Sequence, residues 1–289
     1  MLPTRIGWAI WALVPVAVVA YHYGPGQVAY RRDCAASLER QAAAAESAAT
    51  EAQQAAYAQH LAAIEARRAA LLAQEPSAES SALAAGAAEE KAYADAAKAW
   101  KVAADRYGEV HTALGETSPE LDRSVRCARA RALVRSGEIW TGIGELEGLL
   151  EELDTNGQGG TPVARGSREE LATAYYYGAR LLRLSGMPAQ EWQVESGKAR
   201  QQFRYLAENA REKGAEEASV AYQRNLELVL NLEQSSLVEI QGKPLPKDSP
   251  RTSNNANRPC SNCKKKGPKP PQKKDGRGAG GAEEIRDGW

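Results

Sequence analysis

Ala92-Tyr-Ala-Asp-Ala-Ala-Lys-Ala-Trp-Lys-Val-Ala-Ala-Asp-Arg-Tyr107 sets aromatic Trp100 between the small residues Ala96 and Ala103. Positions three and four apart share one face of an α-helix, so these three present a single surface to a neighbouring helix. The surrounding sequence has the same character. Ala, Glu, Gln, Arg and Leu dominate from Val28 to Gln241, and such residues lose little rotamer freedom in a helix. Val, Ile and Thr are too scattered to build alternating strands. The expected fold is all-α: stacked antiparallel helical hairpins, with an N-terminal transmembrane helix and a disordered C-terminal tail.

Further hairpin units lie downstream. In Ala128-Arg-Ala-Arg-Ala-Leu-Val-Arg-Ser-Gly-Glu-Ile-Trp-Thr-Gly-Ile-Gly-Glu-Leu-Glu-Gly-Leu-Leu150, Gly137 is the turn between two helices and Gly142 a small contact. Ser167 is the expected N-cap of the next helix, with Glu169 and Glu170 complementing its positive end. Gly186 closes that helix and Pro188 opens another, which carries Trp192, Ala199, Phe203 and Leu206. A final helix over about 216–241 is expected to bury Val220, Leu226, Val229, Leu230, Leu237 and Ile240.

The spacing of Ala96, Trp100 and Ala103, and of Ala130, Leu133, Gly137, Gly142 and Leu146, resembles the tetratricopeptide repeat in degenerate form. The resemblance covers roughly residues 85–210, with 155–166 interrupting the 34-residue period. It implies stacked helical hairpins that present a groove to another polypeptide. The segments Tyr175–Trp192 and Leu237–Pro246 are also similar to uncharacterised membrane-anchored proteins of planctomycete-type bacteria, which implies a bacterial source and no particular activity.

Residues 28–74 read as one long helix in which nineteen of forty-seven residues are Ala. Tyr57, Leu61, Ile64 and Leu71 fall on one face. With so few large apolar residues, a solvated stalk and a packed helix are equally compatible with the sequence. A sustained coiled coil is not expected, because the stripe continues towards the amino end as Ala, Ser, Gln and Arg.

At the amino end, residues 6–23 run without Asp, Glu, Lys or Arg. Eighteen helical residues span roughly 27 Å, close to the hydrocarbon thickness of a bilayer. Trp8, Trp11, Tyr21 and Tyr23 lie towards its ends, as interfacial aromatics do. A single-pass anchor in a bacterial inner membrane is expected, with the helical domain outside the cytoplasm. The rival is a signal peptide cleaved after small residues near Val18-Val19-Ala20. Gly24-Pro25-Gly26 breaks the chain before the long helix.

The organisation is therefore 1–27 anchor and break, 28–76 Ala-rich helix, 77–241 hairpin domain and 242–289 tail. The net charge of zero conceals an asymmetry: from Lys243 onward there are twelve Lys/Arg and five Asp/Glu, a net +7 that leaves the remainder at −7. The tail is rich in Pro, Gly, Lys, Ser and Asn and is expected to be disordered. Its lysines between Lys264 and Lys274 suit phosphates or anionic lipid, but without interleaved aromatics no specific nucleic-acid recognition is expected. Gly276–Gly281 is low-complexity linker.

Candidate chemistry is sparse. Cys260 and Cys263 have the spacing of a thiol pair that shares a zinc ion, although no second pair is near; a redox pair or a bland tail are the alternatives. Asp154-Thr-Asn-Gly-Gln-Gly159 begins like a calcium loop, but Arg165 occupies the position of the bidentate carboxylate. His22, His60 and His111 share no motif. No catalytic set and no cofactor is expected. The functional expectation is a membrane-tethered, non-enzymatic protein-interaction scaffold, whose partner-binding candidates are Tyr175, Tyr176, Arg180, Arg183 and Trp192. The alternatives are a self-associating structural or envelope protein, and a metal- or redox-linked regulator acting through the cysteine pair.

Overall fold

The computed structural model describes residues 2–115, 118–242 and 244–251 and, within them, side chains other than those of residues 2–10, 12, 25, 28 and 242. Among the described residues there are nine helices and no strand: α1 Leu2–Tyr23, α2 Pro25–Ala73, α3 Pro76–Leu114, α4 Pro119–Ser136, α5 Ile139–Thr155, α6 Pro162–Leu184, α7 Ala189–Glu212, α8 Glu216–Gln234 and α9 Leu237–Gly242. The protein is all-α. Each helix from α2 to α7 packs against the next, and α6 additionally touches α4 and α9.

The 49-residue α2 and 39-residue α3 form the largest hairpin. Its turn is short because Gln74 adopts the left-handed conformation, φ 54°, and its N–H reaches Ala70 O. The buried stripe of α2 is Ala35, Ala42, Ala49, Ala56 and Ala63, one residue in seven. That of α3 is Glu89, Tyr93, Ala96, Trp100, Ala103, Tyr107, Val110 and Leu114, in alternating steps of four and three. The two run in opposite directions in register: Ala42 falls with Tyr107, Ala49 with Trp100 and Ala56 with Tyr93. Alanine lets the backbones approach, and the α3 aromatics fill the space between them. Burying Trp100 alone is worth about 1.5–3 kcal/mol.

This hairpin corrects two expectations. A seven-residue seam does run along α2, built from Ala rather than from large apolar residues, so volume missing on one helix is supplied by the other. The stripe expected from sequence is not the buried one: Leu61 is 40 % and Leu71 78 % exposed.

Ions tie successive hairpins together. Glu46 of α2 accepts from Tyr107 Oη and from Arg131 of α4, and Arg131 and Arg135 both approach Glu170 of α6, at 3.7 and 3.6 Å. Burial pushes the Glu170 carboxyl up, opposed by those two arginines. In α5, Gly142 is required by contact, since a Cβ there would stand 2.6 Å from Val134 Cγ2 and 2.8 Å from Ala130 O.

Two boundaries differ from the sequence reading. α6 begins at Pro162, capped by Thr161, whose Oγ1 accepts from Ala164 N at 3.3 Å; Ser167 is buried inside the helix. A proline in the first turn behind a threonine cap outcompetes the later serine. The expected last helix is two, α8 and α9, separated at Ser235 and Ser236. Val229 and Ile240 are buried, whereas Val220 and Leu237 are 37 % and 40 % exposed.

Among the described residues no helix is long and apolar enough to cross a membrane. The side chains of residues 6–10 and 12, which the anchor reading of 6–23 requires, lie outside those described.

Candidate functional site

Residues 244–251 follow α9 as a non-helical strap with Ser249 and Pro250 buried. Over 244–251 this differs from the disorder expected of 242–289; the rest of that tail, from 252 on, lies outside the described residues. Low apolar content left burial out of reach in sequence terms, but polar side chains of α2 hold this stretch by its backbone. Gln53 Nε2 donates to both Lys247 O and Ser249 O, each at 3.2 Å. Leu245 N donates to His60 Nε2 at 3.0 Å, and the Leu245 side chain packs on the cluster of Ala56, Tyr93 and Ala96.

His60 is held on both ring nitrogens. Because Nε2 accepts from Leu245, Nδ1 carries the proton and donates to Glu89 Oε1 at 2.7 Å. Glu89, 1 % exposed, also accepts from Arg67 Nη2 at 2.6 Å and pairs with Arg251 at the end of the strap. Burial raises the Glu89 carboxyl, but the His60 hydrogen bond and the charges of Arg251 and Arg67 outweigh it and leave it below its ordinary range. Tyr93 beside it is pushed up to about 12 by burial and by Glu89. Its hydroxyl is buried and meets no hydrogen-bond partner among the described residues.

Between this node and α6 lies a cavity of about 290 Å³, lined on one side by His60, Arg67 and Glu89 and on the other by Tyr177, Arg180, Leu181 and Leu184; α9 and the strap form a further wall. A second cavity, of about 200 Å³, adjoins Tyr176, Arg180, Leu232 and Ile240. Arg180 belongs to both. It is 6 % exposed and donates to Ile240 O at 3.3 Å. Burial pushes its guanidinium down, opposed by Tyr176, Tyr177 and Tyr93.

The five partner candidates therefore divide. Tyr176 and Arg180 face the cavities. Tyr175 is buried, donates to Glu147 and carries Lys198 Nζ 4.8 Å above its ring. Arg183 donates to Leu232 O and Ser235 O at the end of α8 and stacks 4.4 Å over Trp192, so those two join α6 to α7 and α8. The sequence reading set His60 aside as sharing no motif and passed over Gln53, Glu89 and the strap. His60 and Gln53 each lie beside the seven-residue alanine series, and that register was the available signal.

His111 pairs with Asp122 across α3 and α4. Asp154, in the last turn of α5, accepts both short contacts from Arg168 Nη2 of α6, at 2.8 Å. Cys34 and Cys127 are free thiols. Among the described residues no three His, Cys, Asp or Glu are grouped to hold a metal; Cys260 and Cys263 lie outside those residues, as do the lysines between Lys264 and Lys274.

Among the described residues, fold and site together define an all-α array of successively packed helices that grips a non-helical segment, turned at Pro246–Ser249, by its backbone. Comparison of the chain with family models, with curated proteins and with solved structures gives no match.

Proposed function

We propose that the protein is a membrane-tethered interaction scaffold whose tetratricopeptide-like hairpins receive a non-helical polypeptide segment by its main chain. One observation carries this reading: the surface between α2, α3 and α6 already holds residues 244–251 in that manner. Gln53 takes two strap carbonyls and His60 one strap N–H. Main-chain groups are common to every polypeptide, so such contacts supply affinity with little sequence demand, while neighbouring cavities supply selectivity. No chemistry by the protein itself is part of the reading.

Tethering rests on α1. Trp11, Leu13, Val14, Val16, Val18 and Val19 all expose at least 47 % of their surface. These positions surround the helix on every side, and so large an apolar surface marks contact with lipid or another protein. Residues 6–23 accordingly attach the protein to the membrane.

Crosslinking in native membranes, followed by affinity purification of the full chain and of a version ending after Gln241, tests the proposal. Recovery of one stoichiometric partner by both, with more from the strapless version, is the expected result. Self-crosslinks alone would instead identify a self-associating structural protein.

A further inference from the structure

Arg180 carries a buried positive charge that meets no carboxylate among the described residues; its hydrogen bond is to the Ile240 carbonyl. The other charged groups around the larger cavity are committed to one another, since Glu89 is taken by His60, Arg67 and Arg251. A buried guanidinium normally pairs with a carboxylate or phosphate, because desolvating the unpaired ion is costly. Its planar fork matches an oxyanion with two parallel hydrogen bonds.

The cavity beside it has the size and lining for such a ligand. Its 290 Å³ is close to the lower end of small-molecule sites, about 300 Å³. Beside Arg180 and the Tyr177 ring the lining is aliphatic, with Ile139, Leu181, Leu184 and Ile240, while the opposite wall carries the ion-paired His60, Arg67, Glu89 and Arg251. We propose that this cavity binds a small organic monocarboxylate, its carboxylate on Arg180 and its apolar body against α6 and α9. One negative charge neutralises Arg180; the nearby Arg67 and Arg251 are already engaged by Glu89, whose buried carboxylate on the opposite wall opposes a second negative charge in the cavity. Tyr176 borders Arg180 from the smaller cavity and bounds the site there. This assignment stands whether or not the hairpins receive a polypeptide.

Calorimetry on the full chain in lipid nanodiscs tests it, with empty nanodiscs as the blank and three probes: hexanoate, its neutral analogue hexanamide, and inorganic phosphate. Saturable one-to-one binding of hexanoate is expected, with hexanamide and phosphate weaker by roughly tenfold or more, the loss of one charge-assisted hydrogen bond. Arg180→Met should weaken hexanoate by a similar factor. Leu181→Phe, which fills the cavity and leaves the arginine in place, should do the same and serves if Arg180→Met does not fold. Absence of saturable hexanoate binding, equal binding of hexanamide, preference for phosphate, or full retention in a folded variant would each overturn the assignment.

Discussion

Replacing Glu89 by Gln should destabilise the protein at the point where strap and hairpin meet. The side chain keeps its volume and one carbonyl acceptor, but three donors lose an anion. The His60 hydrogen bond, 2.7 Å long between residues 8 % and 1 % exposed, is a buried bond to a charged group, worth about 1.5–3 kcal/mol. The partners Arg67 and Arg251 are 48 % and 32 % exposed, so screening limits each to at most about 1 kcal/mol. Together the loss should be about 2–4 kcal/mol. Urea titration of the full chain reads it as a lowered midpoint at unchanged slope. Hydrogen exchange should show the Leu245 amide opening faster, since its acceptor His60 is no longer fixed. A loss below about 0.5 kcal/mol, the range of ordinary surface substitutions, would refute the view that Glu89 organises this region.

Acid should reproduce the effect. A carboxyl held below its ordinary range contributes stability that is fully present above its unfolded pKa and is lost as pH falls through the folded value. The midpoint gap between wild type and Glu89→Gln should therefore be constant near neutrality and close below about pH 4.3; a gap unchanged under acid would contradict this. Ala49→Leu should cost about 1–3 kcal/mol by overfilling the seam opposite Trp100, whereas Ala43→Leu on the exposed face should stay within about 0.5 kcal/mol, as urea midpoints would show. Gly142→Ala gains about 1 kcal/mol of helix propensity yet meets the Ala130 carbonyl, which cannot swing aside, so a net loss in thermal stability is expected; a gain would show that α4 and α5 separate easily. If residues 6–23 attach the protein to lipid, the full chain should stay in the pellet after alkaline extraction of membranes and a version starting at Gln27 should be released.

Much of the helical architecture was legible because glycine, proline and capping residues punctuate it. Gly137, with φ 97°, and Pro76 at the start of α3 lie where their chemistry puts them. The face formed by Ala96, Trp100 and Ala103 was equally readable, because a large residue between small ones fixes one side of a helix. The partner face on α2 was not. Searching for large apolar residues selects Leu61 and Leu71, whereas close approach to an aromatic-bearing helix selects Ala49 and Ala56. The strap was hidden for a related reason. Its composition buries little apolar surface, and the groups that hold it, Gln53 and His60, lie more than 180 residues away. Of the partner candidates, Arg180 and Arg183 have the same chemistry in sequence. They are separated only by tertiary placement, one beside cavities and the other on the end of α8.

The central claim is that the surface between α2, α3 and α6 holds a non-helical polypeptide segment through its main chain. A synthetic peptide covering residues 244–251, titrated in trans against a version of the protein ending after Gln241, tests this most directly. The account predicts saturable binding that is lost on Gln53→Ala and survives replacement of the peptide's Lys247 and Asp248 by Ala, whose side chains are exposed. Absence of binding, or binding indifferent to Gln53, would contradict it.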